Sequence, residues 1–544
     1  MKKFLLSGTA VLLAATAAQA ADLPVKAKPV EYVKVCSLYG AGFWYVPGTD
    51  TCLKIGSYVR VQTSWDAEGG GAALGFNDSP QSVPTLQPGR FTRTDTSDLN
   101  YRVRASTSVD LRTQTEFGTL RSYLEVGAEV TVDSASATNA PFFDRGFIQF
   151  AGFTAGKIRS YFDINSMAPY TYANTRVSGD TGAAGIFGMA YTAQFGNGIT
   201  ASISLEDGGS GSNGNSPGST GSRGHLTMDL NSTAMTPTGS SSYDNKGWTV
   251  PDVVGALRID QSWGYAQVAA AFHDASPGYY TGVSSAGGGA GCATGLCFGH
   301  PPDAYGYAVT TGFTLNDVFG LRGDQFGVQG AFTRGAAGYA TRATGAFQVY
   351  GGNNSAAFGW VSDGVFDNVT PNCPVGGTCP SKVQLTEVWS INAFYQHFWN
   401  EKWRTALHGG YVHVGYNALA TDLINQHLPS PPAGGTACGM PVEGIIQPPL
   451  GVGSGIGNSC SPNFSWVEAG IRTQWNPHPD LDIGLDVVYT RLNTAYAGRG
   501  DPTALGSVTG VSLAASGARP PALATLEDQD IVSVLFRVQR NFLP

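Results

Sequence analysis

The chain has 544 residues, of which 13% are charged and 11% aromatic, with 73 glycines and 40 acidic against 32 basic side chains. That charge content is about half the usual share of a soluble globular domain, and beyond the N-terminus no run of 18 apolar residues offers a transmembrane helix. An acidic chain without a basic tail argues against nucleic-acid binding, whereas a barrel with an apolar exterior and a polar lumen averages to the mean hydropathy of −0.07 seen here.

The N-terminus reads as an export signal over residues 1–20. Lys2 and Lys3 form a basic start, Phe4–Ala18 an apolar stretch, and Ala18-Gln19-Ala20 a small-residue cleavage site. Export places the eight cysteines in an oxidising compartment, where close pairs favour disulfides. Paired by proximity along the sequence, they fall as Cys36 with Cys52, Cys292 with Cys297, Cys373 with Cys379, and Cys438 with Cys460. No C-x₂-C spacing supports a metal site.

Residues 21–52 read as an N-terminal lead followed by a disulfide loop, and residues 53–544 as the barrel. The stretch Cys36–Gln62, CSLYGAGFWYVPGTDTCLKIGSYVRVQ, with the preceding ADLPVKAKPVEYVKV, resembles the N-terminus of the alphaproteobacterial (rhizobial-type) outer-membrane porin family. The resemblance implies a sixteen-stranded antiparallel barrel, a homotrimer, and a third long loop folded into the lumen. It also implies passive diffusion of small hydrophilic solutes and ions, with no cofactor, across the outer membrane of a Gram-negative bacterium. Past residue 62 the reading rests on rhythm alone.

That rhythm is alternation with period two, the signature of strands with two unlike faces. In Leu53–Trp65, Ile55, Val59, Val61 and Trp65 point one way and Lys54, Tyr58, Arg60 and Gln62 the other. Leu99–Arg112 and Leu120–Val132 repeat the pattern around a short Glu116-Phe117-Gly118 turn. A loop precedes Phe142–Ala151, and Gly152 leads into Phe153–Arg159. Ile186–Phe195 and Ile199–Leu205 flank Gly196-Asn197-Gly198, a strong hairpin signal. The series continues with Val253–Ser262, Tyr265–His273, Tyr305–Leu315, Gln325–Arg334, Glu387–Phe398, Trp403–Tyr416, Phe464–Trp475, Leu481–Leu492 and Gln529–Phe542. Sixteen strands alternate short turns with long loops; counting Phe347–Trp360 as wall would make eighteen. An even count and closure are what a membrane barrel requires, because lipid satisfies no backbone group.

Ser160–Gly185 is too long for a turn and too polar for a core element. It matches the position of the inward-folded third loop that the resemblance implies. Its charged candidates for the pore constriction are Asp163, Asp180 and Arg176. The facing wall offers Arg60, Arg102, Arg104, Arg112 and Arg121, with Lys157 and Arg159 at the loop's root. Charges of both signs across a narrow opening set a transverse field; the competing role is pairing with Glu125, Glu129 or Asp110 within the wall. Tyr395, Trp399, Trp403, Tyr411, Trp475 and Tyr489 sit near strand ends, where aromatic girdles form.

Catalytic signals are weak. Gly209-x-Gly211-x-x-Gly214 lies in a Gly/Ser loop with no helix to follow, and His408 and His413 have no third ligand at a usable spacing. The reading is therefore a channel and not an enzyme. Its expected partners are outer-membrane lipid and lipopolysaccharide, copies of itself, the barrel-assembly machinery that reads a C-terminal aromatic such as Phe542, and small hydrophilic solutes and ions. A substrate-specific barrel channel is one alternative; an outer-membrane barrel enzyme or adhesin is another, of a different class.

Overall fold

The computed structural model describes residues 34–67, 99–133, 136–173, 175, 177, 180–182, 185–208, 223–230, 245–247, 249–278, 300–341, 345–350, 355–366, 382–427, 461–497 and 525–542. The expected signal segment, residues 1–20, and the constriction candidate Arg176 lie outside the described residues. Of the four expected disulfides, Cys36 is bonded to Cys52 across a Cα separation of 6.0 Å. The other three expected pairings, Cys292 with Cys297, Cys373 with Cys379 and Cys438 with Cys460, fall wholly on residues outside the described ones.

Sixteen wall strands carry the labels used below: β1 (Thr51–Ala67), β2 (Leu99–Thr115), β3 (Gly118–Asp133), β4 (Ser136–Phe150), β5 (Phe153–Ile158), β6 (Ile186–Gly196), β7 (Ile199–Glu206), β8 (Asp252–Gln261), β9 (Gly264–Asp274), β10 (Tyr305–Asn316), β11 (Gln325–Arg334), β12 (Glu387–Asn400), β13 (Trp403–Gly415), β14 (Phe464–His478), β15 (Leu481–Asn493) and β16 (Gln529–Phe542). Each pairs antiparallel with the next, and β16 returns to β1 with Val61 opposite Val538, so the sheet closes. Closure gives each wall strand a neighbour on both sides, as a lipid-facing sheet requires, although Ser136–Arg145 of β4 is paired only on the β3 side.

The two faces are as unlike as the alternation demands. On β2, Tyr101, Val103 and Ala105 face outward while Arg102, Arg104 and Ser106 are buried in the lumen. The outer face carries Val61, Ile148, Phe187, Ile203, Leu257, Val268, Ile391 and Leu407, all exposed. Aromatic side chains gather near the strand ends: Trp403 and Trp475 stack at 5.7 Å beside Trp399 at the short-turn end, and Tyr411 lies 5.0 Å from Trp389 toward the other. The β6–β7 hairpin turns through Asn197 at φ 50° and Gly198 at φ 73°. A Cβ on Gly198 would stand 1.9 Å from the Asp260 carbonyl oxygen, so glycine is required both by the dihedral and by the neighbouring strand.

Two wall features differ from the sequence reading. The loop expected before Phe142 is replaced by ladder: β3 and β4 pair up to Asp133 opposite Ser136. Even Pro141 is held in this ladder, opposite Ala128. The second feature is a register shift in the same hairpin, where Arg145 pairs with Glu125 and Phe143 with Val126. Asp144 is the extra residue of this β-bulge, and the bulge turns its carboxylate into the lumen.

The segment that raised the eighteen-strand count forms its own hairpin, Gly345–Tyr350 with Ser355–Val361, apart from the wall. It sits inside the barrel toward the long-loop end. Its Phe347 packs 5.4 Å from Phe464 and 5.6 Å from Trp466, two inward-facing residues of β14. Val388, Val412, Val414, Val488 and Leu492 also point inward here and share the same buried apolar cluster. Helix α1 (Ala418–His427) adds Leu423 and Ile424 to it and is capped by Asn417, whose side-chain oxygen accepts the Ala420 amide at 2.8 Å. Before β1, the short strand Trp44–Tyr45 pairs with Leu53 and Cys52, inside the loop that the disulfide closes.

Candidate functional site

After β5 the chain leaves the wall and enters the lumen, where a succession of buried contacts fixes its course. Glu206 on β7 accepts Ser160 Oγ at 2.6 Å and the Tyr161 amide at 2.9 Å. Asn165 is a hub: its amide donates to Gln329, its side-chain nitrogen to the Val328 carbonyl, and its side-chain oxygen accepts Tyr265 and Thr314 hydroxyls. Tyr170 stacks on Phe394 of β12 at 3.5 Å. The tip then reaches β15, where one oxygen of Asp486 accepts Thr171 Oγ1 at 2.7 Å and the Tyr172 amide at 2.6 Å. The other oxygen of Asp486 lies 3.1 Å from His408 Nε2. Each such bond contributes about 1 kcal/mol net, more where an ion takes part, so a polar segment without helix or sheet is nonetheless held along half the wall.

The two acids of this loop serve its own shape. Asp163 accepts the Thr181 amide at 2.9 Å, the Thr181 hydroxyl, and Arg223 at 2.8 Å. Asp180 accepts Ser166 Oγ at 3.0 Å, the Met167 amide and the Gly182 amide. Arg159 donates to the Ile164 carbonyl and lies 3.7 Å from Asp163. Lys157 donates to the Phe143 carbonyl at 2.7 Å. These four side chains root and fold the loop; neither acid lines the cavity beneath its tip.

The arginines of β1–β3 divide into three settings. Arg104 is gripped by Glu129 at 3.0 Å, by the bulged Asp144, and by the Phe142 ring at 3.6 Å. Arg102 donates to Gln62 and stands 3.6 Å from Glu129. Arg112 and Arg121 share Asp110, at 2.8 and 2.9 Å, close to the β2–β3 turn. Arg60 donates to Gln539 at 2.7 Å and reaches the cavity under the loop tip.

That cavity, of about 260 Å³, brings Arg60 together with three arginines that the sequence reading did not single out: Arg404 on β13, Arg472 on β14 and Arg537 on β16. Tyr172 closes it from the loop side, its ring 4.0 Å from the Arg537 guanidinium and 5.3 Å from that of Arg472. A Cβ on Gly484 would meet the Tyr172 hydroxyl at 2.1 Å, so the bare backbone of β15 is what lets the ring lie against the wall. The signal for these arginines was present in the alternation. Leu407, Ile471 and Phe536 face outward, which sends Arg404, Arg472 and Arg537 inward.

Comparisons with known proteins agree with this architecture. The Porin subfamily (Porin_2) matches residues 22–534. The chain is similar to porin Omp2b of Brucella suis, at 32% identity over 275 residues, covering 48% of this chain and 64% of that one. Porin Omp2b of Brucella abortus (strain 2308) matches at 30% over 273 residues, 48% of this chain and 63% of that one. The matched stretch thus spans less than two thirds of either relative. Among solved structures, the outer membrane channel DcaP of Acinetobacter baumannii superposes over 92% of this chain and 99% of its own with a TM-score of 0.51 at 11% identity, a likeness of fold. With a family match over nearly its whole length and a closed sixteen-stranded wall, the chain belongs to the porin subfamily of Gram-negative outer-membrane β-barrels.

Proposed function

We propose that the protein is a passive diffusion channel for small hydrophilic solutes and ions. The observation that carries this reading is the third loop, pinned to β15 through Asp486, with a charged cavity between its tip and the wall. A barrel of sixteen strands is too wide for side chains alone to fill, so width at this level is set by the loop. A solute crossing it exchanges water for guanidinium and amide groups already in place, and its own gradient supplies the drive. No covalent step is required of any residue.

The pore constriction in this reading comprises the loop tip, Arg60 and its partners across the cavity, with Arg102 and Arg104 on the adjoining wall. Asp163, Asp180, Lys157 and Arg159 act through the loop's shape, and Arg112 and Arg121 act at the short-turn mouth. Family membership supports assembly as a homotrimer, and the aromatic and aliphatic outer face supports contact with lipid and lipopolysaccharide. Phe542, the last residue of β16, suits recognition by barrel-assembly machinery.

Planar-bilayer recording and liposome swelling with neutral sugars test the reading. Conductance in steps of three, with swelling rates falling steeply as sugar size rises, is the expected result. Well-folded protein that neither conducts nor passes sugars would overturn it. A substrate-specific channel is the second reading, favoured by the apolar hairpin over the long-loop end; saturable block of conductance by one solute and not its isomers would select it.

A further inference from the structure

The cavity under the loop tip is lined by more cations than carboxylates. Arg60, Arg404, Arg472 and Arg537 line it against one lining carboxylate, Asp482. That carboxylate is already engaged: it accepts Gln474 at 2.5 Å and the Asn476 side chain, and Arg404 stands 3.9 Å away. The other acid at this level, Asp486, is taken by His408, Thr171 and Tyr172. Three buried donor atoms on lining residues have no hydrogen-bond acceptor among the described residues: Tyr172 Oη, Arg472 Nε and Arg404 Nε. Tyr172 and Arg472 are 2% and 3% exposed.

We propose that this cavity is a binding site for small oxyanions, so that the channel prefers anions and concentrates carboxylate- and phosphate-bearing solutes at its narrowest level. The inference rests on the diffusion-channel reading above and names the solute class it favours. Guanidinium groups offer planar paired donors that match a carboxylate or phosphate edge. Gln396 and Gln539 hold Arg472 and Arg60 by their side-chain oxygens, which fixes the donors without neutralising them. A cation at the same point would meet four positive groups in a narrow, low-dielectric frame, where charge acts over longer range than in bulk water. Passage needs binding strong enough to admit and weak enough to release; arginines on four separate strands supply several overlapping positions rather than one deep trap.

The test compares wild type with the R404Q/R472Q double variant, reconstituted in planar bilayers under a potassium chloride gradient, with inorganic phosphate as the added probe. The reversal potential of wild type is expected on the anion side, and phosphate is expected to reduce chloride current saturably. In the variant the anion-to-cation permeability ratio is expected to fall by about threefold or more, and the saturable block to disappear. Unchanged heat-modifiable mobility shows that the variant still folds. A cation-preferring wild type that conducts normally would overturn the site and leave the channel reading standing. The phosphorus NMR line width of inorganic phosphate, with detergent-solubilised protein, reads the site without any current. Saturable broadening by wild type and not by the variant supports it, and no broadening by wild type overturns it. Absence of all conductance overturns the channel reading instead.

Discussion

Asp486 of β15 and Thr171 of the third loop, 315 residues apart in sequence, are joined by a 2.7 Å hydrogen bond at the level of the pore cavity. The same carboxylate takes the Tyr172 amide and His408, so one wall side chain makes two hydrogen bonds to the loop tip, beside the stacking of Tyr170 on Phe394. Asp486→Ala removes three partners at once and leaves the Tyr172 amide without its acceptor. The loop's root, held by Glu206, and its middle, held by Asn165, are untouched. The expected outcome is a folded barrel with larger and noisier single-channel conductance. Stability falls by about 2 to 4 kcal/mol, since bonds to a charged acceptor are the stronger kind. Single-channel recording checks the first and denaturant unfolding in micelles the second; quiet, wild-type conductance would show that the tip is held elsewhere.

The bulge at Asp144 makes a second prediction. One extra residue in β4 rotates this carboxylate onto Arg104, which Glu129 already contacts from β3. Asp144→Ala leaves the arginine with one acid instead of two. Breaking a buried pair outright costs about 3 to 5 kcal/mol; with Glu129 remaining, a loss of about 1 to 3 kcal/mol is expected here. Deleting Asp144 altogether would join Phe143, which pairs with Val126, directly to Arg145, which pairs with Glu125, closing the bulge without reversing any face. The deletion is therefore expected to fold, as the substitution does, and both to lose the second acid on Arg104; heat-modifiable mobility reads the folding, and a deletion that fails to fold would show that the bulge itself is required.

The wall was legible because lipid and lumen impose opposite chemistry on successive residues, and period-two alternation reports that contrast residue by residue. The sixteen strands follow from it together with the alternation of short turns and long loops, and their closure from the demand that lipid satisfies no backbone group. What alternation reports poorly is depth. It sends Arg112 and Arg60 inward alike, yet Arg112 pairs with Asp110 near the β2–β3 turn while Arg60 lines the cavity. Nor does it show which inward residues are covered by other chain. In β15 and β16, Val487-Val488, Ile531-Val532 and Val534-Leu535 are apolar on both faces, a loss of contrast that marks where another segment packs inside the barrel. The partners of Asp163 and Asp180 were not legible, because Arg223, Thr181 and Ser166 meet them only once the loop has folded.

Acid is expected to loosen the segment 223–230. Its Thr227–Asp229 strand pairs in parallel with Gly364–Phe366, and the Leu226 amide donates to Asp363 at 2.7 Å. His225 in this segment is buried; desolvation first, then the neighbouring His273, lower its pKa to about 4, while Asp363, Asp274 and Asp252 act in the opposite sense. Its ordinary value is 6.5, so between about pH 6.5 and 4 the undocked segment binds more protons than the docked one. Docking is therefore at full strength above that window and weakens as pH falls through it, by an amount of order 3 kcal/mol for the whole shift. Hydrogen exchange of residues 223–230 at pH 7.5 and 4.5 is the measurement. His225→Gln is expected to flatten the dependence; an equal acid response in that variant would assign it to other groups.

The hairpin inside the long-loop end and the arginines of the constriction are expected to act independently, although β14 carries both. Trp466 and Arg472 lie six residues apart on the same inward face, about 20 Å at the rise of a strand. Around Trp466 the wall turns Val412, Val414 and Leu492 inward, and these need the cover that Phe347 and Phe358 provide. Phe347→Ala opens a cavity in that cluster and is expected to cost about 3 to 5 kcal/mol, as for a large aromatic in a packed core. Its rings of contact are Phe464 and Trp466, well up β14 from Arg472, so the reversal potential in a salt gradient should stay at the wild-type value while the unfolding temperature drops. R404Q/R472Q should do the reverse, moving the potential with a far smaller change in unfolding temperature. If Phe347→Ala shifted selectivity as strongly as the arginine variant, the hairpin would have to control the constriction itself, and the division of the lumen into an apolar cover above and a cationic filter below would fail.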